Sequence, residues 1–141
     1  MNGKAERDNR TIVELARTLM HTGNLSSFLW AEAVSTAVYL LNRRPITRDP
    51  KSTPYEKWTG QRPSVNHLRV IGSLACAFTQ KQFRSKMELP GKQLVLVGYR
   101  STDDVEIYRL FDPVSRKIKE THDVQFLEKY RYTRMRITKS T

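Results

Sequence analysis

The chain has 141 residues, of which 38% are hydrophobic and 28% are charged, a composition that suits one ordinary folded domain or two small ones. No apolar run approaches the ~20 residues of a membrane span, and the polar N-terminus excludes a secretory signal, so we expect an intracellular protein without a membrane partner. The net charge of +11 points to a polyanionic partner, because lysines and arginines that neutralise phosphates release counterions.

Metal-binding and disulfide chemistry have little support in the composition. The chain has one cysteine, Cys76, and three scattered histidines, which excludes an intramolecular disulfide and gives no paired spacing for a zinc site. Cys76 lies in the apolar run 70–78, where a buried thiol is expected.

The first predicted element is an amphipathic helix that ends near His21, before Gly23 and Asn24, which tolerate a left-handed cap. Its apolar stripe has the spacing i, i+3, i+4, i+7 and i+8 and consists of Ile12, Leu15, Ala16, Leu19 and Met20. Glu6 lies on the flank of this stripe, together with Arg10, so its carboxylate either faces a cleft or complements the helix dipole.

A second predicted helix begins after Ser26 or Ser27, either of which can cap it. Residues 28–41 are apolar over most of the helix circumference, so this helix must be buried. Because the first helix offers only one narrow stripe, we expect part of this surface to belong against a sheet that the chain does not encode. Arg44 precedes Pro45 and is therefore extended, which ends the helix.

Residues 45–52 are predicted to form a loop, and Thr53-Pro54-Tyr55-Glu56 then supplies an N-cap, a proline at the first helical position and a capping-box glutamate. A short helix to about Trp58 is expected, ended by residues 59–63. Tyr55 and Trp58 are expected to pack the linker onto a neighbouring surface rather than to stack on bases.

From Leu68 the apolar period changes to that of strands, in the runs 68–78, 93–99, 105–111 and 118–126. Four or five strands within about sixty residues predict a small barrel. Hairpin turns are expected at 103–104 and 112–113, and Gly72 and Gly98 at points of strong bending or a bulge.

The last thirteen residues contain five basic residues and no acidic residue, interleaved with aromatic and aliphatic side chains. They predict either a strand or an arm, and either a nucleic-acid contact or a solvated tail. Two basic surfaces are thus candidates for binding nucleic acid. The candidate residues are Arg7, Arg10 and Arg17 on the first helix, and Lys129, Arg131, Arg134, Arg136 and Lys139 in the tail.

Several segments together resemble one family. Asn2-Gly3-Lys4-Ala5-Glu6, the Asn42-Arg43-Arg44-Pro45 signature, the Thr53–Trp58 segment and the Val97-Gly98-Tyr99 and 108–113 runs resemble the integrase part of copia-type LTR retrotransposon Pol polyproteins. The resemblance implies that Glu6 is the third acid of the DDE active site. The two earlier aspartates would precede Met1, and the zinc module that such integrases carry upstream is absent.

The resemblance implies an α+β chain with four parts. Residues 1–44 would be the last helices of an RNase H-like integrase core, 45–65 a linker with a short helix, 66–128 an SH3-like β-barrel, and 129–141 a basic tail. The sequence departs from the family pattern at 121–122 and 103–106, which indicates a degraded or diverged copy.

The implied function is that of an integrase fragment that binds DNA without base selectivity and does not catalyse strand transfer on its own. Three carboxylates of a complete core hold two Mg²⁺ ions, and Glu6 alone does not. We therefore expect no cofactor for this chain, DNA and other integrase or Pol subunits as partners, and the nucleus, with cytoplasmic particles for the parent element, as location. The alternatives are an upstream exon that supplies the aspartates, a domesticated nucleic-acid or chromatin adaptor, and a protein-interaction module built on the barrel.

Overall fold

The computed structural model describes residues 2–78, 91–102 and 105–131, and of residues 78, 91, 102 and 128–131 it describes the backbone alone. Three helices precede five strands. They are α1 (Gly3–Thr22), α2 (Trp30–Asn42), α3 (Pro54–Thr59), β1 (Ser73–Phe78), β2 (Gly91–Thr102), β3 (Val105–Phe111), β4 (Ile118–Thr121) and β5 (Val124–Arg131). None of the helices within these ranges combines the length and hydropathy that a membrane crossing requires.

The connection between α1 and α2 differs in detail from the sequence prediction. Asn24 is the residue that adopts the left-handed conformation, with φ of 51°, whereas Gly23 caps α1 with φ of −78°. Neither predicted serine caps α2 through its side chain, because the chain enters this helix through a 3₁₀ turn at Ser27–Leu29. The amide of Leu29 donates to the carbonyl of Ser26 at 2.9 Å in that turn.

The short helix α3 confirms the predicted N-cap, first-turn proline and stop, but not the capping box, because Glu56 Oε2 is buried without a hydrogen-bond partner among the described residues. Thr53 Oγ1 accepts a hydrogen bond from the amide of Glu56 at 3.1 Å, and Pro54 occupies the first helical position. Gly60 ends the helix in the left-handed region with φ of 75°, which a glycine adopts without steric cost.

The five strands form one antiparallel sheet in the order β4-β3-β2-β1-β5. Helices followed by this sheet confirm the predicted α+β class.

Two strand predictions were imprecise. The run 68–78 becomes a strand only from Ser73, because Ser73 closes a turn onto Val70 through its amide and hydroxyl. The run 118–126 is divided into β4 and β5 where the amide of Asp123 donates to Thr121 Oγ1.

Helix α2 packs on a bulge in β2. The β2–β3 register passes from Leu96 to Gly98 and skips Val97. The carbonyl of Val97 accepts a hydrogen bond from the buried hydroxyl of Thr36 on α2 at 2.6 Å. A Cβ atom at position 98 would lie 2.5 Å from Thr36 Oγ1, so the close approach of α2 requires glycine there. The predicted bulge at Gly98 is thus confirmed, and its function is to receive the helix.

Helix α2 packs in part on a sheet that the chain itself encodes, whereas Trp30 and Val38 of this helix are 39% exposed, so the expectation that part of its surface belongs against a sheet outside the chain stays a prediction. Tyr39 and Leu40 of α2 pack against the apolar core that contains Leu94, Leu96 and Leu110 of the sheet. A smaller cluster between α1 and α2 consists of Ala16, Ala33 and Ala37. Alanine lets the two helices approach closely, so α2 is covered by α1 on one side and by the sheet on the other.

Ion pairs fasten the same helix to the sheet. The guanidinium of Arg109 on β3 binds both carboxylate oxygens of Glu32 on α2, at 2.7 and 2.9 Å, and also pairs with Glu120 of β4. Arg100 of β2 pairs with the other oxygen of Glu120 at 2.7 Å. The hydrogen bonds to Glu32 raise the pKa of Arg109, because they favour its charged form.

The turn between β3 and β4 begins at Asp112-Pro113, as predicted. Asp112 is buried and accepts hydrogen bonds from the amide of Val114 and the hydroxyl of Ser115, both at 2.9 Å, and it pairs with Lys92. Burial alone raises the pKa of a carboxyl group, but these donors outweigh it and lower the pKa of Asp112 to about 2. The predicted turn at 103–104 lies outside the described residues.

Candidate nucleic-acid interface

Glu6, the candidate catalytic residue of the sequence analysis, lies at the exposed start of α1. Glu6 lies in the first turn of this helix and is exposed, and its amide donates to the carbonyl of Asn2 at 3.0 Å. At about 100° per residue, Arg10 and Arg17 follow Glu6 along one flank, whereas Arg7 lies about 60° or more farther around the helix. The three arginines span about 80° of the helix circumference, and the flank that they form stays a prediction as a binding surface.

Arg7 instead faces a cleft between the start of α1 and the segment that follows α2. This cleft has a volume of about 940 Å³. Four cationic side chains line it, and we call it the basic cleft. These are Lys4, Arg7, Arg44 and Arg48. Asp8 is the one acidic residue among the lining residues, so the cleft carries an excess of positive charge.

The loop after α2 holds the two distal arginines of the basic cleft in an ordered turn. Ile46 and Asp49 form a bridge, and the amide of Ile46 donates to the carbonyl of Ser52 at 2.9 Å. Asp49 also pairs with Lys57 of α3 at 3.7 Å. The carboxylate of Asp49 therefore pairs with α3 and not with the arginines of its own loop. Within the described ranges, Arg44 and Arg48 have no carboxylate within ion-pair distance.

The floor of the basic cleft is apolar. It is formed by Ile12 of α1, Val38 and Leu41 of α2, and Ile46 of the loop. Val38 is 39% exposed there. Sequence reasoning missed Lys4, Arg44 and Arg48. The cluster of basic residues around Pro45 was a signal, but only the fold brings that loop to the start of α1.

Arg17 lines a separate cavity of about 660 Å³, at the other end of α1. We call this cavity the Trp30 pocket. Its lining residues are Arg17, Met20, His21, Asn24, Leu25, Ser27 and Trp30. Arg10 lines neither cavity. Of the predicted tail residues, Lys129 and Arg131 belong to β5 by their backbone, and Arg134, Arg136 and Lys139 lie outside the described residues. The tail as a binding surface stays a prediction.

A polar cluster joins α2, the connector before β1, and the sheet. The hydroxyl of Tyr39 lies 2.7 Å from His67 Nε2 and donates to a carboxylate oxygen of Glu106 at 3.0 Å. The guanidinium of Arg43 stacks on the Tyr39 ring, 3.4 Å from its centroid. The ring of Tyr39 also stacks on that of Tyr99, with centroids 5.1 Å apart. This cluster, which we call the junction cluster, ties the helices to the sheet.

Burial shapes the electrostatics of the junction cluster. Burial raises the pKa of Tyr39 to about 12, and it lowers the pKa of His67 although Glu106 acts in the opposite direction. His67 Nδ1 is buried without a hydrogen-bond partner among the described residues. A neutral imidazole with its proton on Nε2 fits this environment, because a buried Nδ1–H would be a donor without an acceptor.

Among residues 2–78, 91–102 and 105–131, no three or more His, Cys, Asp or Glu side chains are grouped so that they could hold a metal ion. The exposed carboxylate of Glu6 alone does not fit the two Mg²⁺ ions that the sequence resemblance implies for a complete core.

Comparison with known proteins assigns the part of the chain that contains the strands to a known domain family. Residues 73–139 match the family model of the Retroviral polymerase SH3-like domain. The chain is 40% identical over 127 residues, 90% of its length, to the Retrovirus-related Pol polyprotein from transposon TNT 1-94 of Nicotiana tabacum. The chain belongs to the copia-type retrotransposon Pol polyproteins.

Two further Pol relatives support the same assignment. Over 128 residues, 91% of its length, the chain is 34% identical to the Retrovirus-related Pol polyprotein from transposon RE2 of Arabidopsis thaliana. Over 101 residues it is 33% identical to the polyprotein from transposon RE1 of the same plant. The chain covers 9%, 9% and 7% of the lengths of these three polyproteins. No solved structure gives a significant match. The predicted SH3-like domain and the predicted family are thus confirmed.

Proposed function

We propose that this Pol segment is the part of an integrase that connects the end of the catalytic core to the SH3-like domain, and that it binds DNA through the phosphates. The observation that carries the proposal is the basic cleft, which is lined by four cationic side chains and one acidic side chain. The position of Glu6, which corresponds to the third DDE acid by resemblance, supports the integrase assignment. With DNA as the partner, we expect action in the nucleus.

The charge distribution of the basic cleft favours phosphate as its ligand. Arginine and lysine side chains that no carboxylate neutralises are free to pair with phosphate oxygens, arginine in bidentate fashion. The loop hydrogen bonds of Ile46 and Ser52 hold the backbone that carries Arg44 and Arg48, which reduces the ordering cost of binding. Such contacts position a nucleic acid and do not read bases, so we expect affinity without sequence preference.

We further propose that the 141-residue chain alone does not catalyse strand transfer. In-line phosphoryl transfer by a two-metal site requires several carboxylates that hold two ions about 4 Å apart. Glu6 is exposed on the first turn of α1. A single exposed carboxylate competes poorly with the water shell of Mg²⁺. The role that we propose is therefore to hold DNA, and the chemistry belongs to a complete core.

The test measures binding of a labelled duplex by fluorescence anisotropy over a series of salt concentrations. Each lysine or arginine that neutralises a phosphate contributes about 0.9 to the slope of log affinity against log salt. The variant Arg44→Gln/Arg48→Gln should therefore lower the slope by about two and weaken binding to all duplex sequences alike.

The matched control removes the same charge from β4 and the turn before it, where Lys117 and Lys119 are exposed and line neither cavity. Lys117→Gln/Lys119→Gln should change the slope much less than the cleft variant. Equal effects of the two double variants would show that binding follows net charge and not the basic cleft. Absence of duplex binding by the parent chain would favour the protein-interaction alternative.

A further inference from the structure

The Trp30 pocket lies farther along α1 than the basic cleft, since the nearest residues of this helix that line the two sites, Ile12 and Arg17, are separated by a rise of about 7.5 Å. It is a shallow, open depression of about 660 Å³. The pocket is formed between the last turns of α1 and the start of α2. Unlike the basic cleft, it has an aromatic ring at its rim.

The indole of Trp30 is available for stacking. Its side chain is 39% exposed, and among the described residues its ring makes no aromatic pair and lies under no guanidinium. The frame around it is fixed, because the preceding Leu29 is 5% exposed and Leu25 is 8% exposed, both in the main core. An exposed ring on a rigid frame loses little entropy on binding.

The other lining groups favour a nucleotide over an apolar peptide. Arg17 offers a guanidinium for phosphate, His21 and Asn24 offer ring and amide groups that hydrogen-bond to base edges, and Ser27 offers a hydroxyl. The chain as a whole carries a charge of +11, which attracts polyanions. An acidic side chain is absent from the residues that line this pocket.

We propose that the Trp30 pocket stacks an unpaired base of a nucleic-acid strand, with Arg17 on the adjoining phosphate. The inference rests on the proposed function and narrows its ligand to a strand that is single-stranded at this point, because bases within a duplex already stack on one another. Stacking on an aromatic side chain tolerates any base, so the contact selects for strandedness and not for sequence.

The chain has two tryptophans, which gives each single variant one fluorescent reporter. In Trp58→Leu the remaining indole is Trp30, and in Trp30→Leu it is Trp58, which is 91% exposed on α3 and lines neither cavity. Both variants are titrated with a thymidine oligonucleotide of about 12 nucleotides and with a duplex, and affinities are measured by anisotropy.

We expect the oligonucleotide to quench fluorescence in Trp58→Leu with unchanged affinity. In Trp30→Leu we expect little quenching and about tenfold weaker oligonucleotide binding, while duplex affinity is retained. Arg17→Gln should weaken oligonucleotide binding severalfold. Circular dichroism confirms that each variant is folded.

Unchanged oligonucleotide affinity in Trp30→Leu, or quenching of Trp58 fluorescence alone, would overturn the proposal that the Trp30 pocket stacks a base. If the parent chain still binds the duplex in that case, the proposed function stands. If the parent chain binds neither the oligonucleotide nor the duplex, both the stacking proposal and the proposed function are rejected.

Discussion

The contact between α2 and the bulge of β2 predicts strong coupling between Thr36 and Gly98. Gly98→Ala would place a methyl group 2.5 Å from Thr36 Oγ1. Thr36 is 2% exposed, so its hydroxyl cannot move away without either breaking the 2.6 Å bond to Val97 or displacing the helix. Overpacking of this kind costs about 1–3 kcal/mol of unfolding free energy.

Thr36→Ala has a different cost. It removes the donor to the carbonyl of Val97, and an unsatisfied buried acceptor costs about 1–3 kcal/mol. The same change also removes the oxygen with which a methyl group at position 98 would clash, and Thr36 Cβ lies 3.8 Å from that methyl group, an ordinary contact. The double variant should therefore be about as stable as Thr36→Ala alone, with a coupling free energy of about 1–3 kcal/mol.

The assay is urea unfolding of the full chain followed by far-ultraviolet circular dichroism, for the parent, both single variants and the double variant. If the losses of unfolding free energy in the two single variants add up to that of the double variant within about 0.5 kcal/mol, the predicted contact is refuted, because residues in contact are expected to couple. A second, separate transition for the sheet would also show that α2 does not unfold together with it.

Three further predictions concern pH, the tail and catalysis. Burial lowers the pKa of His67 below its unfolded value of about 6.5, so the stability that neutral His67 contributes is complete above that pH and is lost as the pH falls from there through the lower pKa of the folded state. Tm measured between about pH 5 and 8 should decline less steeply in His67→Gln, and parallel profiles would contradict this. Removing residues 132–141, which spares β5, should flatten the salt slope of duplex binding by up to about three, whereas an unchanged slope and affinity would show a solvated tail. The purified chain should show no strand transfer with Mg²⁺ or Mn²⁺, and turnover that Glu6→Gln abolishes would overturn this expectation.

Local rules predicted those features of the fold that depend on neighbouring residues. The stripe of α1, the stop before Pro45 and the Thr53 cap each involve residues within one or two turns of each other. The alternation of β-rich runs and turns predicted the barrel in the same way, and the family was recognisable from short motifs. The end of α1 was predicted for the same reason, since Gly23 and Asn24 both tolerate a left-handed backbone and Asn24 adopts it.

The tertiary structure alone decided what α2 packs against and where the cations meet. Thr36 and Val97 are 61 residues apart in the chain, and Glu32 and Arg109 are 77 apart. The apolar pattern of α2 predicts that the helix is buried, but it does not predict which surface covers it. Burial against any complementary apolar face removes the same apolar area from water. A helical wheel likewise gives the direction of Arg7 but not the loop that faces it. The packing of α1 and α2 brings residues 44–48 to that side, and this long-range contact creates the basic cleft.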